Sequence, residues 1–171
     1  MVNSDELLYV VDEFNEKLTP QPRHKVFKKG LWRRTTHVWI FDQKGRVLCQ
    51  RRSLKKTVGA GLWETSVAGH IGPDDNYFTG AVREVKEETG IEIDPKDLKL
   101  HKIYKDDSRK EFIGVFYHQV DIKEHDIKME EDEVDQVKLM NAKTLKNNIL
   151  YKKSDYWITY GYEKEIFALL D

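Results

Sequence analysis

Gly69-His70-Ile71-Gly72-Pro73-Asp74-Asp75-Asn76, followed by Tyr77 through Thr89 and then Gly90-Ile91, is the stretch that decides how this chain folds. Its first half is dense in turn formers, which predicts a loop. Asn76 is placed to cap a helix over 77–89, and Gly90 to end it in the left-handed conformation that other residues avoid. At about 100° per residue, Phe78, Val82, Val85 and Thr89 form one largely apolar stripe, which predicts the face that packs on a sheet. Glu84, Glu87 and Glu88 fall on a neighbouring face. Carboxylates spaced i, i+3, i+4 repel, and near a half-buried boundary the repulsion raises their pKa values. A hard divalent cation removes the conflict. Mg²⁺ takes oxygen ligands and keeps several waters, leaving positions that suit phosphate oxygens. Without a cation the same face is an acidic, solvated surface with Arg83 and Lys86 as partners.

Outward from this segment the pattern is mixed α/β. Thr36–Phe41 and Arg46–Arg52 are β-rich and flank Asp42-Gln43-Lys44-Gly45, which predicts a hairpin. Trp63–Val67 is a third strand with Trp63 in the core. Leu98–Lys105 and Glu111–Val120 form a second hairpin across Asp106–Lys110, and Val134–Met140 is a further strand. Helices are expected over 141–150 and 154–170 with Asn141 and Ser154 as N-caps, although Gly161 weakens the last. This order predicts helices packed on the faces of a mixed sheet, in one domain spanning 1–171 with 1–35 as an N-terminal extension and C-terminal helices over 141–171.

The chain has 171 residues, 35% of them charged, and a net charge of −1. Its longest apolar run, Ile166–Leu170, is far below the roughly 20 residues a membrane span needs. The polar, acidic start does not resemble a secretory signal. The one cysteine, Cys49, allows no internal disulfide and no thiolate zinc site, and the expected compartment is the cytoplasm. Residues 21–60 hold twelve Lys/Arg against Asp42 alone, whereas 61–100 hold nine acids against four Lys/Arg, and 124–135 seven acids against Lys128. That asymmetry fits either a mixed soluble surface or a site for an anionic substrate held by cations and metal-bound carboxylates. Arg51 and Arg52 alternate along their strand, so one can face the site; Arg51 is the candidate for a phosphate contact. His70, next to Gly69, is a second substrate-contact candidate.

From Gly69 the spacing is Gly, five residues, Asp75, seven residues, then Arg83-Glu84-Val85-Lys86-Glu87-Glu88-Thr89-Gly90-Ile91. It resembles the signature of the Nudix hydrolases, Gly-x5-Glu-x7-Arg-Glu-U-x-Glu-Glu-x-Gly-U with U aliphatic. Eight of its nine specified positions match, the departure being Asp75 where the family has Glu. Tyr9–Glu13, Lys29–Arg34, His37–Phe41, Gln50–Ser53 and Gly61–Glu64 look like a bacterial branch similar to isopentenyl-diphosphate isomerases. The resemblance covers roughly residues 7–140.

The resemblance implies an α/β/α sandwich around a mixed sheet and hydrolysis of a diphosphate bridge by water attack on phosphorus. It implies Mg²⁺ or Mn²⁺ on Glu84, Glu87 and Glu88, with the Gly69 carbonyl as a further ligand. Arg83 would orient the glutamates, and the shorter Asp75 would brace the loop against it. The base would be a motif glutamate or one from a later loop, for which Glu133 is the candidate. The expected partner is a small-molecule diphosphate, with no membrane and no nucleic acid. Residues 141–171 suit either internal packing or a homodimer contact. Two alternatives stand beside the hydrolase. An isomerase of isopentenyl diphosphate would need a cysteine where Ala68 stands and a histidine-rich metal site, of which only His70 and Glu111 find counterparts, with Phe27 and Arg33 where histidines would be sought. A non-catalytic nucleotide or nucleic-acid binder would use the basic 21–60 region, which lacks the interleaved aromatics of a single-strand binder.

Overall fold

The computed structural model describes residues 6–65, 67–152 and 155–170. Its centre is β3 (Arg33–Phe41), in which Thr35 to Ile40 are buried on both faces. Thr36, Val38 and Ile40 alternate with His37 and Trp39, so each face carries its own apolar set. Burial on both sides lets β3 take a parallel neighbour, β8 (Glu111–Gln119), in register from Arg33–Glu111 to Phe41–Gln119. On its other side it pairs antiparallel with β6 (Val67–His70). β7 (Lys99–Asp106) pairs with β8 as the expected hairpin and forms the edge beyond it.

The expected 36–52 hairpin is only partly formed. Its turn is present: Asp42 accepts from the backbone of Lys44 and Arg46 and pairs with the Arg46 guanidinium. Beyond it, β3 and β4 (Arg46–Arg52) meet at the single pair Phe41–Val47. β4 then pairs with β9 (Val134–Asn141) and with β5 (Trp63–Glu64). A local turn cannot hold two strands together when each has a longer partner elsewhere. The expected 63–67 strand is likewise broken into β5 and β6, which pair with different strands. As a result Gly69 and His70, expected in a loop, are the last two residues of β6.

Helix α2 (Tyr77–Thr89) forms where expected. Asn76 accepts from the backbone N–H groups of Phe78 and Thr79, Thr79 returns the bond to Asn76, and Gly90 follows at φ +72°. Its Ala81 and Val85 are buried against Val38, Ile40, Leu48, Val67 and Phe116, with Phe78 and Val82 at the margin. The opposite face of the sheet carries Trp39, Val47, Cys49, Ile113 and Val115. α3 (Ala142–Lys146), capped by Asn141 and continued by a π-turn over Asn147–Tyr151, covers it together with α4 (Glu163–Phe167). The sequence is thus an α/β/α sandwich on a mixed sheet.

The long helix expected over 154–170 is reduced to α4. Gly161 takes φ +90°, which a helix cannot include, and Glu163 accepts from the backbone of Tyr160 and Gly161 instead. Ser154 lies outside the described residues. The N-terminal segment adds a strand pair, β1 (Leu7–Leu8) with β2 (Gln21–Pro22), and helix α1 (Arg23–Lys29), built on Leu8, Val10 and Val26. No helix among the described residues is long and apolar enough to cross a membrane.

His37 is sealed in the face opposite α2, its Nδ1 2.6 Å from the Tyr162 hydroxyl and its ring 4.2 Å from that of Tyr160. Burial first, and the charge of Arg109 second, push its pKa from 6.5 down to about 3. The folded chain therefore binds fewer protons here than the unfolded chain between those values. The neutral histidine supports the fold above pH 6.5, and that support drains as pH falls toward 3, at ~1.4 kcal/mol per unit. At pH 4.5 the loss is expected to be about 3 kcal/mol. Urea titrations at pH 7 and 4.5 should show a clearly shallower fall for His37→Gln than for the wild type; equal falls would mean that His37 is not the responsible group.

Candidate active site

Three of the motif carboxylates project from α2, but into different surroundings. Glu84 and Glu88 lie beside the apolar stripe and are each only 9% exposed, whereas Glu87 is largely solvated. Glu84 rests on Gly69: a Cβ built there would stand 1.9 Å from the Glu84 carboxyl carbon. The glycine is thus required by close approach and not by its backbone angles. Burial is the main influence on Glu84. Arg83 offsets it in part, Glu87 and Glu6 add repulsion, and the pKa is pushed up to about 7. Glu88 accepts from Gln50 Nε2 at 2.7 Å, and no Lys or Arg among the described residues forms an ion pair with it. Burial, with repulsion from Glu84, Glu64 and Glu133, holds it well above the usual carboxylate range.

Arg83 ties the motif together. Its Nε donates to Asp75 at 2.9 Å, Nη1 to Glu84 at 2.8 Å and to Glu87 at 3.2 Å, and Nη2 to the His70 carbonyl at 2.9 Å. Asp75 thus reaches the arginine despite its shorter side chain.

Among the described residues, no three His, Cys, Asp or Glu side chains are gathered in a way that could hold a metal ion. Glu84, Glu87 and Glu88, expected around one ion, do not form such a group in this arrangement. Arg83 Nη1 bridges Glu84 and Glu87, and Gln50 holds Glu88. The donor chemistry still suits a hard divalent ion. It is all oxygen, and Glu84 and Glu88 are desolvated carboxylates in electrostatic contact with each other, a pair that a dication would stabilise.

The other expected residues divide. Glu133 lies near enough to act on Glu88 and pairs with Lys56. Arg51 is not brought to the carboxylates: it pairs with Asp135 across to β9. The β4 residues whose groups reach Glu88 are Gln50, by hydrogen bond, and Arg52, by charge. Arg52 also binds the buried Glu64 at 2.6 Å. The strand alternates as expected, but it is Arg52, on the same side as Gln50, and not Arg51 that turns toward the motif carboxylates. His70 borders the site, its ring between Arg23 and Arg33. Gln50, Glu64, Arg23 and Arg33 carry no motif that singles them out in the sequence, and Arg52 is the alternative that Arg51 displaced; the basic 21–60 stretch is the available signal for the three arginines.

Cys49 is fully buried on the face away from α2, and burial pushes its thiol strongly up. The positions weighed for an isomerase metal do come together, but around a guanidinium: Arg33 reaches His70 Nε2 at 3.3 Å and Glu111 at 2.7 Å, with Phe27 stacked on it.

The NUDIX domain model matches residues 31–160, and the chain belongs to the Nudix family. Among curated relatives, it is 36% identical over 87 residues to an isopentenyl-diphosphate Delta-isomerase of Serratia proteamaculans, covering 51% of this chain and 49% of that one. It is 35% identical over 108 residues to an uncharacterized Nudix hydrolase of Streptomyces coelicolor, covering 63% and 59%. The chain thus spans about half the length of the curated relatives it matches. A crystal structure of a Deinococcus radiodurans protein, DR0079, shares the fold, with a TM-score of 0.72 at 19% identity, over 96% of this chain and 99% of the other.

Proposed function

We propose that this chain, acting as one domain over residues 1–171 in the cytoplasm, is a Mg²⁺- or Mn²⁺-dependent pyrophosphohydrolase. It would cleave the diphosphate linkage of a nucleoside diphosphate derivative or a related organic pyrophosphate by water attack on phosphorus. The observation that carries this reading is the pair of desolvated carboxylates, Glu84 resting on Gly69 and bound by Arg83, and Glu88 held by Gln50 within reach of the Arg52 charge.

Glu84, Glu87 and Glu88, with the Gly69 carbonyl, would hold the ions. A bound dication supplies charge neutralisation at the bridging oxygens and a more acidic water. Most of what remains is positioning, since phosphoryl transfer asks little covalent work of the protein. Arg83 fixes the rotamers of Glu84 and Glu87 and ties them to the loop through Asp75. Gln50 holds Glu88. The proton of the attacking water would pass to a motif glutamate or to Glu133, which would have to part from Lys56 to accept it. Isomerase chemistry is disfavoured by Ala68, by the sealed thiol of Cys49 and by Arg33 between His70 and Glu111.

A panel of nucleoside diphosphate derivatives and organic pyrophosphates, each assayed with Mg²⁺ and Mn²⁺, should show metal-dependent release of a phosphate-bearing product from at least one member. Silence across the panel, together with deuterium exchange into isopentenyl diphosphate, would replace this reading by the isomerase.

A further inference from the structure

We propose that Arg23 and His70, backed by Arg33, form an oxyanion seat beside the motif carboxylates, through which the N-terminal segment binds a phosphate group of the substrate. Arg33 Nε lies 3.3 Å from His70 Nε2, and Arg23 Nη1 lies 3.1 Å from His70 Nδ1. A guanidinium only donates, whereas an imidazole carries an N–H on at least one ring nitrogen in any form it takes in water. One arginine therefore faces an N–H in every tautomer and in the protonated ring. The contact is a mismatch unless an acceptor joins it.

The two arginines are not equally free to adjust. Arg33 is 6% exposed, and its remaining nitrogens are committed to Glu111 at 2.7 Å and the Arg109 carbonyl at 3.0 Å. That favours Nε2 as the acceptor for Arg33 and leaves Nδ1–H facing Arg23. Arg23 is more open, and its Nη1 is divided between His70 and Glu6 at 3.1 Å. A phosphate oxygen placed there accepts from Nδ1–H and from the Arg23 fork together, which converts the mismatch into two charge-assisted bonds. Phe27 supplies an apolar wall, its ring centroid 5.3 Å from the Arg23 and 4.3 Å from the Arg33 guanidinium carbon, with the His70 ring against it. The seat is tied to the motif through the backbone of β6, since the His70 carbonyl accepts from Arg83. Glu6, the acid beside Arg23, also acts on Glu84.

The identity of the anion as substrate phosphate rests on the pyrophosphohydrolase reading; anion binding does not. Inorganic pyrophosphate titrated into the full chain without divalent metal should shift the His70 ring resonances in ¹H–¹⁵N spectra to saturation. Arg23→Gln should weaken that binding about tenfold or more, with Arg23→Lys in between. In the metal-dependent assay Arg23→Gln should raise KM about tenfold and leave kcat within about threefold. A His70 ring that does not respond to millimolar pyrophosphate overturns the seat, as does unaltered binding in folded Arg23→Gln. Saturable, Arg23-dependent shifts without turnover of any diphosphate keep the seat and remove the hydrolase.

Discussion

Glu84→Gln and Glu88→Gln are each expected to lower metal-dependent diphosphate hydrolysis on the order of 10²–10³-fold while leaving the chain folded, the scale of loss when one fixed electrostatic partner of a transition state is removed. The amide keeps the shape of the side chain and removes the charge. Glu88 is the sharper case, since burial and three neighbouring acids already oppose its ionisation. A neutral side chain there relieves that cost, so the melting temperature of the metal-free variant should not fall. What should disappear is the rise in melting temperature that Mn²⁺ gives the wild type, because stabilisation by a ligand follows its affinity for the folded state. Wild-type turnover in both variants, or an unchanged Mn²⁺ response in both, would refute the site.

Gly69→Ala is expected to cost about as much activity by a different route. The new methyl would fall 1.9 Å from Cδ and 2.1 Å from Oε2 of Glu84, so that carboxylate must leave its place and its bond to Arg83. Overpacking of this kind typically costs ~1–3 kcal/mol of stability, which a domain this size can survive. Turnover is expected to fall on the order of a hundredfold, since a misplaced group near the chemistry costs roughly that much. Combining the change with Glu84→Gln should add little further loss, because both remove one contribution. Full additivity in that cycle would show that Gly69 does not act through Glu84.

The motif helix was legible because its signals are local: a cap, a stripe and a terminating glycine within one segment. The α/β/α class was legible for the same reason. Strand pairing was not. Which partner β4 takes depends on β9, more than eighty residues away in sequence, and Asp42–Gly45 marks a turn without saying how far the strands stay together. The final helix failed on Gly161, whose warning was visible although the resulting break was not. At the site, the motif named the carboxylates and Arg83, but their burial and separation depend on tertiary packing. Arg23 and His70 lie 47 residues apart, and no spacing rule brings them together.

The parting of β3 from β4 gives the sheet two leaves joined at a narrow seam, and α2 lies across both. Glu84 leans on one leaf through Gly69 of β6, and Glu88 is moored to the other through Gln50 of β4. An ion bound between the two carboxylates, as proposed, would therefore pull the leaves toward each other. By reciprocity, a substitution at the seam, at Phe41 or Val47, would retune metal affinity without touching a single ligand.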